Sequence, residues 1–132
     1  MWQTLQPVIV QADILSFVPV TRARLASRGH NQARELALAI AGFSGQPVAG
    51  LLRMTRAVAD MGTTKTRHRS RNVEGAFGLR NRSDALRRRI NGSRIALIDD
   101  VITSGATANE CAKVLLAAGA VSVDALTLAR TP

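Results

Sequence analysis

Apolar residues in this chain come in short runs separated by basic, glycine-bearing or hydroxyl-rich stretches, and the runs follow two different periods. Ile14 to Val20 is apolar up to Pro19 and predicts a strand leading into a loop. Thr21 to Gly29 is basic and reads as that loop. From Asn31, a residue suited to cap a helix, Ala33, Leu36, Ala37, Ile40 and Ala41 fall on one helical face, and Gly42 and Gly45 are expected to end it. Val48 to Leu52 predicts a short strand after Pro47. Arg53 to Asn72 has no apolar period and predicts a long loop, with room for a short helix in its second half. Val73 to Arg80 predicts another short strand, and Ser83 is placed to cap a helical turn running to Ile90. Asn91-Gly92 is a turn signal, followed by a strand over Arg94–Ile98. A helix from Ala106 puts Ala108, Cys111, Ala112, Leu115 and Ala118 on one face and closes at Gly119. Val121 to Leu128 predicts a last strand.

Strands alternating with helices, with near-continuous apolar character in the strands, predict an α/β fold on a mainly parallel sheet. The 132 residues suit a single domain spanning 1–132, with no repeat and no second unit. Aromatic residues make up only 3% of the chain, so the core must be built from Ala, Val, Leu and Ile. One cysteine, Cys111, excludes an internal disulfide and a cysteine-based zinc site. No metal-ligand cluster is evident. No apolar run approaches membrane-spanning length, and Met1–Asp13 lacks the features of a signal peptide, so a cytoplasmic location is expected.

Charge changes this picture because it is local. The formal net charge is +9, and residues 53–94 hold twelve of the eighteen basic residues against Asp60, Glu74 and Asp84 alone. That segment carries the whole excess. All the basic residues except Lys65 and Lys113 are arginines, whose planar fork suits phosphate. A solvated surface is the plain alternative, and a long loop of this kind inside a compact domain is often a lid or binding loop.

The most informative string is Arg94 to Thr107. Four apolar residues, Ile95–Ile98, lead to Asp99 and Asp100, then to Thr103, Ser104, Gly105, Ala106 and Thr107, then to a helix. Parallel sheets bind ligands beyond the carboxyl ends of their strands, and helix starts attract phosphate. Adjacent strand residues point to opposite faces, so both acids are expected to serve one ligand only if the chain leaves the sheet there, with Val101 onward forming the turn. Two carboxylates could then accept hydrogen bonds from neighbouring sugar hydroxyls. Residue by residue, a surface turn with a capping Asp and Thr is the competing reading. Gly-x4-Gly-Lys-Ser/Thr and Gly-x-Gly-x-x-Gly are both missing, and nothing resembles a nucleophile elbow.

Ile95–Thr107 resembles the ribose-phosphate motif of the type I phosphoribosyltransferases, with Ser104 in place of the usual second threonine. Val18-Pro19-Val20, Arg24-Leu25, Arg28-Gly29-His30-Asn31-Gln32-Ala33 and Leu36-Ala37 resemble the ComF-type competence family, as do Arg69-x-x-Asn72-Val73-x-x-Ala76-Phe77 and Leu126–Arg130. The resemblance runs from about Asp13 to Arg130 and implies a three-layer phosphoribosyltransferase-like fold with helices on both sheet faces. It implies that Asp99 and Asp100 bind the ribose of phosphoribosyl pyrophosphate and that Thr103, Ser104, Gly105, Ala106 and Thr107 cradle its 5-phosphate. Val20, Thr21, Arg22 and Arg24 would neutralise pyrophosphate. A flexible loop carrying Lys65, Arg67, Arg69 and Arg71 would close over the site, and Mg2+ would be held mainly through the substrate. The family usually carries a four-cysteine zinc module and a Gln near Met61; this chain has neither, and is expected to be a short or truncated member. Two functions follow from the resemblance. One is a glycosyltransferase that transfers the phosphoribosyl group to an acceptor the sequence does not name. The other is a non-catalytic module for DNA uptake that binds single-stranded DNA or a helicase. Pairing with a second copy of the chain is compatible with either.

Overall fold

The computed structural model describes residues 11–20, 25–27, 29, 31–55, 74–102 and 105–130, with backbone alone for 100–102 and 128–130. Its centre is a parallel sheet in the order β1-β4-β5, built from β1 (Ile14–Phe17), β4 (Arg94–Ile102) and β5 (Ser122–Arg130). Ile14 to Phe17 pair with Ile95 to Ile98, and Arg94 pairs with Ser122. The central strand β4 is buried on both faces, which is why its sequence is continuously apolar rather than alternating.

Alternation sorts the strand side chains between two cores. Ala96 and Ile98 of β4 and Leu15 of β1 pack against Ala37 and Ile40 of helix α1 (Gln32–Ser44). Ile95 and Leu97, with Ile14, pack on the other face against Cys111 and Leu115 of helix α3 (Ala106–Ala117) and against Leu86 and Ile90 of helix α2 (Asp84–Ile90). The result is helix, sheet, helix, as the sequence resemblance implies. The second core is the larger because it also takes in a two-stranded antiparallel ribbon, β2 (Leu52–Met54) and β3 (Phe77–Leu79).

The helix ends follow the sequence closely. Asn31 caps α1, accepting from the Arg34 amide at 3.2 Å, and Ser83 caps α2, accepting from the Leu86 amide at 3.1 Å. Gly45 terminates α1 in the left-handed conformation, at φ 81°, and its amide donates to the Ala41 carbonyl. Gly42, expected from the sequence to help end the helix, lies inside it instead: Phe43 and Ser44 continue the helix before Gly45 supplies the positive φ.

The strands depart from expectation in three places. Val48 makes only an isolated bridge to Leu15, whose amide donates to Pro47 O and whose carbonyl accepts from Ala49; the strand itself begins at Leu52. The chain is diverted there because Leu52–Met54 pairs with β3 instead of joining the parallel sheet. The expected strand over Val73–Arg80 is shorter, since Glu74 and Gly75 form a turn and pairing starts at Phe77. The third departure bears on function. The chain does not leave the sheet at Asp99 and Asp100: β4 continues to Ile102, with Asp99 paired to Thr127, Val101 to Ala129 and Ile102 to Arg130. The neighbouring β5 runs equally far and satisfies the backbone of β4, so nothing forces an early turn.

Candidate phosphate-sugar site

The carboxyl ends of β1 and β4 lie side by side. The Val18 amide donates to Ile98 O at 3.0 Å, so the β1 chain leaves the sheet next to the residue that precedes Asp99. Val20, half-buried, follows directly. Asn31 ties the far end of this loop back: its side-chain amide donates to Val18 O at 3.2 Å while its oxygen caps α1. Both ends of segment 19–30 are therefore anchored at the same sheet edge. Between them, residues 25–27 form a helical turn closed by the Gly29 amide on Leu25 O. The sequence marked Asn31 as a cap only. Its second bond links positions thirteen apart and carries no local signal.

Asp99 is half-buried and lies on the α3 side of the sheet. The Cys111 thiol on α3 has its pKa pushed up to about 12, chiefly by burial, then by the negative charges of Asp99 and Glu110. Cys111 is fully buried among the core side chains, so it is a small apolar filler and not a nucleophile.

Helix α3 starts at Gly105, three residues after β4 ends. Gly105 sits at φ 82°, a conformation that glycine adopts at little cost, and no side chain of the cap residue hydrogen-bonds to the helix start. A Cβ built on Gly105 would meet no described atom within 4 Å. Ala106 and Ala108 are buried beneath the first turn, and Thr107 between them is half-exposed. Helix starts of this kind carry partial positive charge and outward N–H groups.

The second turn of α3 reaches the ribbon. Glu110 accepts from Lys113 Nζ at 2.9 Å and, at a long 3.4 Å, from the Gly75 amide. The Lys113 bond holds the Glu110 carboxyl below its ordinary pKa of 4.5 against an opposing effect of burial, with Gly75 adding to the lowering. Glu110 in turn raises the Lys113 pKa. Thr55 completes the junction, its hydroxyl donating to Gly75 O at 2.7 Å and its amide to Ala76 O at 2.7 Å. Thr55 and Glu74 are the flanks of segment 56–73, so the root of the basic stretch is fastened to α3. Sequence reasoning missed Glu110 and Thr55, because each acts through a partner on a different element.

The structure thus brings Asp99, Gly105, Ala106, Thr107 and Val20 to one edge of the sheet, with the backbone of Asp100 in β4 beside them. Thr21, Arg22, Arg24, Thr103, Ser104, Lys65, Arg67, Arg69 and Arg71 lie outside the described residues. Among the described residues, no group of three or more His, Cys, Asp or Glu side chains could hold a metal ion. Among them too, no helix is long and apolar enough to cross a membrane.

No family model matches the chain. The proteins named DNA utilization protein YhgH of Escherichia coli K12 and of Salmonella typhi are each 32% identical to it over 120 residues, covering 90% of this chain. The chain spans about half the length of these curated relatives, 50% in each case. Among solved structures, the allosteric regulatory enzyme of purine biosynthesis superposes with a TM-score of 0.57 at 21% identity, over 95% of this chain and 24% of that one. The glutamine phosphoribosylpyrophosphate amidotransferase of B. subtilis gives 0.52 at 20% identity, over 95% and 25%. A purine phosphoribosyltransferase of Pyrococcus horikoshii gives 0.50 at 15% identity, over 100% and 76%. At these identities the structural likeness speaks for the fold. The chain therefore has the phosphoribosyltransferase-like fold and, over 90% of its length, is similar in sequence to the DNA utilization proteins YhgH.

Proposed function

We propose that this chain binds phosphoribosyl pyrophosphate at the carboxyl edge of β1 and β4, within a protein that serves DNA handling. The observation that carries the reading is the Gly105 start of α3. It is a left-handed glycine whose built Cβ would meet no described atom within 4 Å, and it follows directly on the strand that carries Asp99 and Asp100, at the edge where parallel sheets bind ligands. The 5-phosphate would lie over the Gly105–Thr107 turn, completed by Thr103 and Ser104. The carboxylates of Asp99 and Asp100 would accept from the ribose hydroxyls. Because β4 remains in the sheet through both acids, the sugar would have to sit across the strand end, with the two acids approaching it from different sides.

Arg22 and Arg24, in the loop anchored by Asn31 and Val18, would neutralise the pyrophosphate, and Lys65, Arg67, Arg69 and Arg71 would cover it. Magnesium is assigned to the ligand's own oxygens, a hard cation on hard donors. The chemistry such a site supports is transfer of the phosphoribosyl group with release of pyrophosphate, aided by positioning and charge. The DNA-handling half of the proposal draws on the name of the relatives and on the basic segment.

Calorimetric titration with phosphoribosyl pyrophosphate and magnesium tests the site, comparing the wild type with Asp99→Asn/Asp100→Asn. A hydrogen bond to a charged group is worth about 1.5–3 kcal/mol, so the double variant should bind at least about tenfold more weakly. Absence of binding by the wild type would overturn the reading. Undiminished binding by a folded double variant would move the ligand elsewhere.

A further inference from the structure

A second cleft in the molecule is lined by three arginines and shares no residue with the sheet edge. Arg53, Leu79, Asn81, Arg82 and Arg87 line an open cleft of about 250 Å3 between the β2–β3 ribbon and α2. Each of its three arginines is carried by a fixed piece of backbone. Arg53 lies in β2 opposite Gly78, so no β3 side chain covers it. Arg82 lies in a turn held by the Ser83 amide on Asn81 Oδ1 at 2.9 Å. Arg87 follows one turn after the Ser83 cap and is seated by its buried neighbours Leu86 and Ile90.

Three arginines line this cleft and no acid does. Neither the Arg34–Glu35 nor the Lys113–Glu110 ion pair involves the cleft. The acids nearest in sequence, Glu74 and Asp84, do not line it. Arg88 and Arg89 are exposed on the same helix and do not line the cleft. Arginines gathered around one cleft suit the oxygens of phosphate, which arginine binds bidentately.

The geometry points to this cleft as a nucleic-acid backbone site that grips phosphodiesters without stacking on bases. The inference rests on the DNA-handling half of the proposed function and is independent of the phosphoribosyl pyrophosphate half. No Phe, Trp or Tyr lines the cleft, whereas surfaces made for single strands offer aromatic platforms. Recognition is then sequence-independent, and a duplex, with its denser phosphates, binds at least as tightly as a single strand of the same length.

Fluorescence anisotropy with a labelled duplex and a labelled single strand of mixed sequence tests this at salt concentrations between about 50 and 200 mM. Each phosphate contact contributes about 0.9 to the slope of log affinity against log salt, so Arg82→Ala/Arg87→Ala should lower that slope by about 2 and weaken binding at low salt at least about tenfold. Arg88→Ala, on the same helix but outside the cleft, should change affinity less than about twofold. Thermal melts establish that the variants are folded, and Arg82→Lys/Arg87→Lys, which keeps the charge, should restore most of the salt slope. Wild type that binds no DNA would overturn the inference together with the DNA-handling reading. DNA binding that the cleft variant leaves intact, or that Arg88→Ala weakens equally, would overturn the cleft alone. A clear preference for the single strand would overturn the backbone-only mode.

Discussion

The two long helices that flank the sheet begin in opposite ways. α1 starts at Asn31, whose side chain is used at both ends: its oxygen caps the helix and its amide holds Val18 O. α3 starts at Gly105, which has no side chain to offer and adopts φ 82°. The first start is satisfied by the protein itself and locks a loop in place. At the second, a Cβ built on the cap residue would meet no described atom within 4 Å. The side-chain cap thus belongs to the helix on one face of the sheet, and the left-handed glycine to the helix on the other.

The largest test of this comparison concerns what lies under each helix. Leu115, fully buried beneath α3, should cost about 2–5 kcal/mol when changed to Ala, measured by urea unfolding. Leu38, on the outer face of α1 and 41% exposed, should stay within about 0.5 kcal/mol on the same change. Similar losses at both positions would mean that the layers are not organised as described.

The next test separates the two bonds of Asn31. Asn31→Ala loses the cap and leaves Val18 O unmatched, and should cost about 2 kcal/mol. Asn31→Asp keeps the capping oxygen and loses only the bond to Val18, and should cost about half as much. Equal costs for the two variants would show that the cap contributes nothing measurable.

A smaller effect sharpens the contrast most. Gly45 and Gly105 share nearly the same backbone, at φ 81° and 82°, and both have clear space around a built Cβ. Ala at either position should cost about 1–2 kcal/mol from the left-handed conformation. Only Gly105→Ala should also weaken phosphoribosyl pyrophosphate binding, because Gly45 lies at the far end of α1. Matching effects on ligand affinity would remove the special status of the α3 start.

The smallest effect is in the pH dependence. The Glu110 carboxyl has a folded pKa below its ordinary 4.5, so its stabilising contribution is complete above that value and is lost as pH falls through the lower folded one. Glu110→Gln should therefore reduce stability slightly at neutral pH and flatten the acid limb of the melting profile. An unchanged acid limb would mean that the Lys113 and Gly75 contacts do not outlast solvent screening.

Local signals were legible where the cause is local. Asn31, Ser83 and Gly45 could be read as caps and a stop because a cap is a contact within four residues, and the apolar run Ile95–Ile98 could be read as a central strand because burial on both faces removes alternation. Gly42 misled for the same reason: it resembles a stop, but glycine in a helix costs only about 1 kcal/mol, and the packing of α1 absorbs it. The end of β4 was not legible. Asp99-Asp100 resembles a chain leaving a sheet, yet whether it leaves depends on how far β5 runs beside it. The β2–β3 ribbon was hidden too, because its strands are three residues each and their pairing joins segments far apart in the chain.

By itself the sequence determined the alternating α/β pattern, the caps, the arginine excess and the Arg94–Thr107 string on which the proposed site rests. All of these depend on residue type and short-range spacing. The tertiary structure decided that Asp99 stays in the ladder, that Asn31 clamps the β1 loop, that Glu110 and Thr55 fasten the root of the basic segment to α3, and that Arg53, Arg82 and Arg87 face one cleft. Each of these is a meeting of groups distant in sequence, and such meetings follow from which apolar faces bury together, since the hydrophobic effect that drives the packing is non-directional and leaves no mark on the polar residues it juxtaposes.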